Sequence, residues 1–346
     1  MSEEALRRIT ALKDAGRYEA ALRELSPVAA AAREGVDVVF GIKASLEESN
    51  LLGIVGDHDL AIARATWAIS QAHSPKHAAT LAEHAWDVTM TFLLFANAAS
   101  EHEQIPIQHV LRVLDEAELF LERIGRPSWR CGVQSERGAL FARHRRFEEA
   151  AESDRAALDG KLRDPRAPGH SARSIQRSLA RSLSELGRLD EAAEVLEDLL
   201  RQPNLLPLDE LAAHTYLGHN ALKRGLGPLA ATCADNATRL ARTMSPKQRM
   251  AAAGLSVEAY LAVDRLSDAR AAADEIMRCA EAVGTAHAWC SAYQDAFDVA
   301  LREGDVARAT ELLGRMEEWA KKVDARIGDT HRMDLVLERR AKLARR

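Results

Sequence analysis

Small and apolar residues recur along the chain in a fixed relation to a series of polar turns. Three of these turns are near copies: Ala15-Gly16-Arg17-Tyr18-Glu19-Ala20-Ala21, Arg145-Arg146-Phe147-Glu148-Glu149-Ala150-Ala151, and Leu186-Gly187-Arg188-Leu189-Asp190-Glu191-Ala192-Ala193. Each reads as a tight turn followed by a helix start, with an acidic residue in the first helical turn, where the helix dipole favours it. Weaker copies stand at Gly56-Asp57-His58, Gly225-Leu226-Gly227, Asp264-Arg265-Leu266 and Gly304-Asp305-Val306. With the turns placed at 16, 56, 145, 187, 225, 264 and 304, the last four spacings are 42, 38, 39 and 40. The 89-residue gap between 56 and 145 holds two repeats, with one turn obscured within Ser100 to Pro106. The mean period is about 41 residues, and self-similarity at such a period marks a repeat architecture.

Five residues after every turn stands an alanine: Ala21, Ala61, Ala150, Ala192, Ala230, Ala269 and Ala309. Where two antiparallel helices cross, only a small side chain lets the backbones approach. Four residues before each turn stand Leu12, Leu52, Phe141, Leu183, Ala221, Tyr260 and Ala300, all apolar, and seven before, Gly138, Ala180 and Gly218 are small. Prolines give a second ruler: Pro75, Pro127, Pro168, Pro207 and Pro246 lie 52, 41, 39 and 39 apart. Proline suits the first helical position, where its missing N–H would be unpaired anyway. Ser74-Pro75-Lys76 and Ser245-Pro246-Lys247 use the same N-cap device twice. These markers predict helix pairs over 3–33, 36–73, 75–124, 127–160, 168–202, 207–243, 245–284 and 285–323. A final amphipathic helix over about 329–345, starting at Asp329 and ending in Arg339, Arg340, Lys342, Arg345 and Arg346, suits a polar cap on the array. The domain reading is therefore a solenoid over 1–323 and a capping helix within 324–346. The least helical stretch, Arg163 to His170, places a hinge between two half-arrays near 161–170.

On these residues the chain resembles the tetratricopeptide-repeat (TPR) family. The resemblance spans nearly the whole chain and rests on a small residue, an apolar residue, a turn glycine and then alanine. It is seen in Ala180, Leu183, Gly187 and Ala192, and again in Gly218, Ala221, Gly225 and Ala230. The period exceeds the family's standard of about 34 residues, as in the long-helix TPR arrays of bacterial regulators. Asp154, Val257 and Phe297 stand where the family usually has an apolar or a small residue. The resemblance implies an all-α, right-handed solenoid of about eight antiparallel helix pairs with a C-terminal capping helix. It also implies a concave groove lined by the first helix of each pair. Fold alone does not fix function.

Composition agrees with helix. Of 346 residues 64 are alanine, and aromatics make only 5%, which argues against a large β-sandwich or barrel. The net charge of −5 supplies no global basic field for nucleic acid. The acidic, polar start has no basic region followed by an apolar run, and the longest apolar stretch, Val88 to Ala99, is too short to span a membrane. Cys131, Cys233, Cys279 and Cys290 form no CxxC pair, so reduced thiols in a cytoplasmic protein are the simplest expectation.

No phosphate-binding loop, nucleophile elbow or HExxH motif occurs, so no catalytic residue, metal or cofactor is expected. Cys279, His287 and Cys290 could offer three metal ligands, but their spacing matches no named site and reads more simply as buried core thiols. The strongest signal is electrostatic: residues 123–181 carry 14 Lys and Arg against 7 Asp and Glu. Arg173, Arg177 and Arg181, four apart, share one helix face. In the TPR register, Arg177 and Arg181 take groove positions ten and six before the turn. Thr215 and His219 take them in the next pair, Asn50 earlier, and Glu258, Gln294 and Asp298 later. Trp129 beside Arg130 is a further candidate, since Trp and Arg are frequent binding hot spots. Two readings of the Arg stripe stand side by side: a solvated face, or a site for an acidic peptide or a C-terminal carboxylate held bidentately. The first functional reading is a non-enzymatic scaffold that binds a protein or peptide segment in the groove. The second is a peptide- or small-ligand-sensing regulator that acts through another protein. An enzyme or nucleic-acid binder comes third.

Overall fold

The computed structural model describes residues 3–15, 17–100, 105–327 and 330–346. Among them every regular element is helical, and the helices alternate in antiparallel pairs. The pairs are α1 (Glu3–Asp14) with α2 (Tyr18–Glu34) and α3 (Val38–Val55) with α4 (His58–Ala72). A 3-10 turn (Pro75–His77) and short α5 (Ala78–Glu83) then lead into the pair α6 (Ala85–Ser100) and α7 (Ile107–Arg123). There follow α8 (Arg130–Arg143) with α9 (Phe147–Arg163), α10 (Ala172–Glu185) with α11 (Leu189–Leu200), and α12 (Pro207–Lys223) with α13 (Gly227–Ala241). Last come α14 (Pro246–Ala262) with α15 (Leu266–Val283), α16 (Ala286–Glu303) with α17 (Val306–Ile327), and α18 (His331–Leu343). The eight expected pairs and the terminal helix are all present. The expected turn at Gly16, part of the obscured turn within Ser100 to Pro106 and the start at Asp329 lie outside the described residues.

The periodic turns have one mechanism. Gly56, Arg145, Gly187, Gly225, Asp264 and Gly304 all adopt the left-handed conformation, with φ between 58° and 87°. The next residue's N–H then reaches back to the carbonyl four before the turn: Asp57 to Leu52, Arg146 to Phe141, Arg188 to Leu183, Leu226 to Ala221, Arg265 to Tyr260 and Asp305 to Ala300, at 2.8–3.0 Å. That bond ends the helix and satisfies a carbonyl that would otherwise be orphaned. Each chain reversal presses the following helix onto the preceding one, and the alanine five residues on sits at the crossing. All seven such alanines are 0% exposed. Gly218 of α12 marks a second close approach, to the next pair, since a Cβ there would lie 2.6 Å from Leu255 Cδ2 of α14.

The chain forms two compact units, Met1–Ser178 and Leu179–Arg346. The core of the first is built on large residues of α6 and α7, among them Phe92, Leu93, Leu114, Phe120 and Leu121. The core of the second is built on small ones, Ala230, Ala234 and Ala237 of α13 packing with Leu255, Val257 and Tyr260 of α14. Toward its C-terminal end, Phe297, Met316 and Val336 join α16, α17 and α18. The buried Asp324 of α17 accepts from the N–H groups of Arg332 and Met333, at 3.0 and 2.7 Å, and so caps α18.

Candidate ligand-binding groove

Within each unit the first helices sit closer together than the second helices do. In Met1–Ser178, α3 packs on α6 and α6 on α8; in Leu179–Arg346, α12 packs on α14 and α14 on α16. The second helices pack less closely on one another, so each row of pairs bends with its first helices on the inside.

The inner face of Leu179–Arg346 carries a polar ladder. Arg181 on α10, His219 on α12, Glu258 on α14, Asp298 on α16 and Arg339 on α18 lie 38, 39, 40 and 41 residues apart, one rung per repeat. His219 Nδ1 lies 3.4 Å from Glu258 Oε2. Arg339 Nη2 donates to Asp298 Oδ2 at 2.6 Å, and this pair is well shielded, with side-chain exposures of 7% and 24%. Desolvation raises the Glu258 carboxyl, but the hydrogen bond from His219 and the charges of His219, Arg339 and Lys223 outweigh it and hold Glu258 below the usual range. Asp295, one turn before Asp298, is buried. Burial pushes its carboxyl well above the usual range, and Glu258 and Asp298 add to the effect against Arg339 and Arg332.

A cationic rim stands beside this floor. Lys247, His287 and Arg332 occupy the starts of α14, α16 and α18. Arg332 Nη2 lies 3.0 Å from His287 Nδ1. Desolvation, then the charges of Arg332, Arg181 and Lys247, push His287 down to about 4. Histidine so placed is neutral at pH 7. The charge of Arg181 on α10 is thus felt by His287 on α16. Glu258 and His287 are open to water yet desolvated by surrounding helices, as expected of side chains on a concave wall. Among the described residues no group of three or more His, Cys, Asp or Glu is placed to hold a metal ion, and the four cysteines are free and buried. No described helix is long and apolar enough to cross a membrane.

The sequence matches no protein-family model and no curated protein. Solved structures similar to the chain include the apo form of the quorum sensor NprR from B. thuringiensis, at 14% identity over 97% of each chain with a TM-score of 0.55. The Rap protein complexed with competence and sporulation factor is similar at 14% identity over 99% of each chain, TM-score 0.55. The signal-transduction ATPase PH0952 from Pyrococcus horikoshii, which carries a tetratricopeptide repeat sensor, is similar at 16% identity over 92% of this chain and 46% of that one, TM-score 0.64. The fold is that of the TPR-like solenoids.

In this TPR-like frame the inner groove of Leu179–Arg346 gathers Arg181 and His219 with Glu258 and Asp298. Arg173 and Arg177 lie half-buried on α10, where Arg177 Nη2 donates to Ser174 Oγ at 3.3 Å. Thr215 is buried, and its hydroxyl donates to the Leu211 carbonyl at 2.8 Å. Asn50, Trp129 and Arg130 belong to Met1–Ser178. Asn50 is half-buried on α3, and Arg130 pairs with Glu122. The Trp129 indole N–H donates to Asp164 at 3.1 Å, and the Arg126 guanidinium stands 5.4 Å from the ring centroid. Asp295, Lys247, Arg332 and Arg339 are groove residues that the sequence reading passed over. Arg339 had a signal, because it lies one further period beyond Asp298. The rim residues had none, because their meeting depends on how successive pairs are offset along the bend.

Proposed function

We propose that this protein is a non-enzymatic interaction protein that holds an extended segment of a partner along the inner groove of Leu179–Arg346. The observation that carries the reading is the ladder: Arg181, His219, Glu258, Asp298 and Arg339 stand at equivalent places on successive first helices, beside a rim of Lys247 and Arg332. Arg181 and Arg332 suit a carboxylate of the segment, since guanidinium groups bind carboxylates bidentately. Glu258 accepts from backbone amides or an amine. The absence of a catalytic motif in the sequence supports binding over chemistry. The partner is a protein or peptide with an acidic group at the rim, met in the cytoplasm.

A peptide-sensing regulator that acts through another protein is the second reading. It is favoured by full-length likeness to a quorum sensor and to a Rap protein complexed with competence and sporulation factor.

Selection of a displayed library of random peptides against the full chain tests the proposal. Retained peptides should be rich in Asp and Glu or end in a free carboxylate. Arg181→Glu with Lys247→Glu should weaken them tenfold or more, by loss of charge-assisted bonds, without loss of helicity. If no retained peptide bound this variant more weakly than the native chain, the groove assignment would be refuted. Small-angle scattering with a selected peptide separates the two readings: a sensor changes its dimensions on binding, a scaffold does not.

A further inference from the structure

The bending that brings first helices together spreads the second helices apart. In Leu179–Arg346 the spread opens a cleft of about 440 Å3 between α13 and α15, on the outer face, with α14 as its bed. Its lining is rich in alanine, with Ala252 and Ala253 on α14, Ala241 on α13 and Ala271 and Ala272 on α15, so side chains do not fill the trough. One wall is locked. Arg265 stands 4.2 Å from the Tyr260 ring centroid and bonds Asp268 at 2.7 Å and Asp235 at 3.1 Å. The Tyr260 hydroxyl donates to Asp235 at 2.7 Å. On the far side Arg278 holds Glu275 at 2.7 Å. The hydroxyls of Thr238 and Ser256, 2.9 Å apart, lie between the walls.

Two further guanidinium groups line the cleft, one without an ion pair and one with a donor left over. Arg242 is exposed at its mouth and makes no ion pair with any described residue. The Nε of Arg249 is buried without a hydrogen bond, 3.5 Å from Glu275 Oε1. A buried donor left unmade costs stability that an incoming acceptor recovers.

We propose that this cleft binds the free carboxylate end of a short apolar peptide, with Arg242 and Arg249 on the carboxylate and the alanine lining against the side chains. With Arg265 and Arg278 committed to their own acids, one cationic charge is left over, and a single carboxylate balances it. A dianionic phosphate would be pressed toward Asp268 and Glu275. The volume falls within the range of small-ligand pockets, and Thr238 and Ser256 offer partners for peptide amides. The site lies on the face opposite the inner groove and does not depend on it.

The test is ligand-observed NMR on the full chain carrying Arg181→Glu and Lys247→Glu, so that the inner groove does not contribute, with pooled acetylated tripeptides of Ala, Val and Leu, supplied as free acids and as C-terminal amides. The free acids should bind and the amides should bind at least tenfold more weakly. Arg242→Gln should lose that preference, and Ala271→Trp, which fills the trough from an exposed position, should abolish binding. Circular dichroism confirms that both variants stay folded. Equal binding of acids and amides, binding that survives both substitutions, or no binding of any acid at about 1 mM would overturn the proposal.

Discussion

Asp154→Asn is expected to stabilise the protein at neutral and alkaline pH, and the structure sets the size of the effect. Asp154 sits on α9 at 1% exposure, its carboxyl lying over Gly138, where a Cβ would approach Oδ1 to 2.3 Å. Its Oδ2 is buried without a hydrogen bond. Desolvation pushes the group up from 3.8 to about 7, against a hydrogen bond from Ser178 and the charge of His170. Because the folded value lies above the unfolded one, the folded state binds more protons between about pH 4 and 7. Stability is therefore lost as pH rises through that window and stays lost above it. At about 1.4 kcal/mol per unit, the full shift gives an upper bound of about 4 kcal/mol, and relaxation reduces it to on the order of 2–4 kcal/mol. Asparagine keeps the shape without the charge. The variant should match the native chain near pH 4 and exceed it by about 2–4 kcal/mol at pH 8. His170, raised by its hydrogen bond with Glu136, also loses stability as pH rises, but it does so in both proteins and largely cancels in the difference. Urea unfolding followed by circular dichroism at a series of pH values measures that difference. A gap that does not change with pH, or a variant less stable at pH 8, would refute the reasoning.

Three further outcomes are expected. Arg145→Gly should raise stability by about 0.5–1 kcal/mol, because an exposed arginine at φ 58° carries a left-handed strain that glycine does not; thermal melts read the shift. Ala230→Leu should cost about 1–3 kcal/mol or more in urea unfolding, since this alanine is wholly enclosed at a helix crossing. Arg339→Met should cost about 2–4 kcal/mol by leaving Asp298 and the nearby Asp295 without their cation, and a companion Asp298→Leu should recover most of it in a double-mutant cycle.

The fold was largely legible because its turns are local and repeated. A left-handed residue, the back-reaching N–H and the enclosed alanine all fall within ten residues, so each repeat announces itself in sequence. Arg145 and Asp264 take the same turn without glycine, and the register around them still marked it. The longer third pair was less plain, because the 3-10 turn and α5 insert ahead of α6. The groove was legible only as far as its register: Arg181, His219, Glu258 and Asp298 recur at fixed places before the turns. The rim of Lys247, His287 and Arg332 was not, because it joins different heights of helices far apart in sequence. Asp154 stood out as a departure from the repeat pattern, but its setting with Glu136 and His170 arises only on folding. The outer cleft left no trace, since its lining is rich in alanine in a chain where alanine is everywhere.

The most direct test of the groove reading is hydrogen–deuterium exchange on the full chain, with and without a peptide selected against it. Slowed exchange confined to α10, α12, α14, α16 and α18 of Leu179–Arg346, and abolished by Arg181→Glu with Lys247→Glu, is the predicted result. Protection confined to the second helices α11, α13 and α15, or to Met1–Ser178, would contradict it.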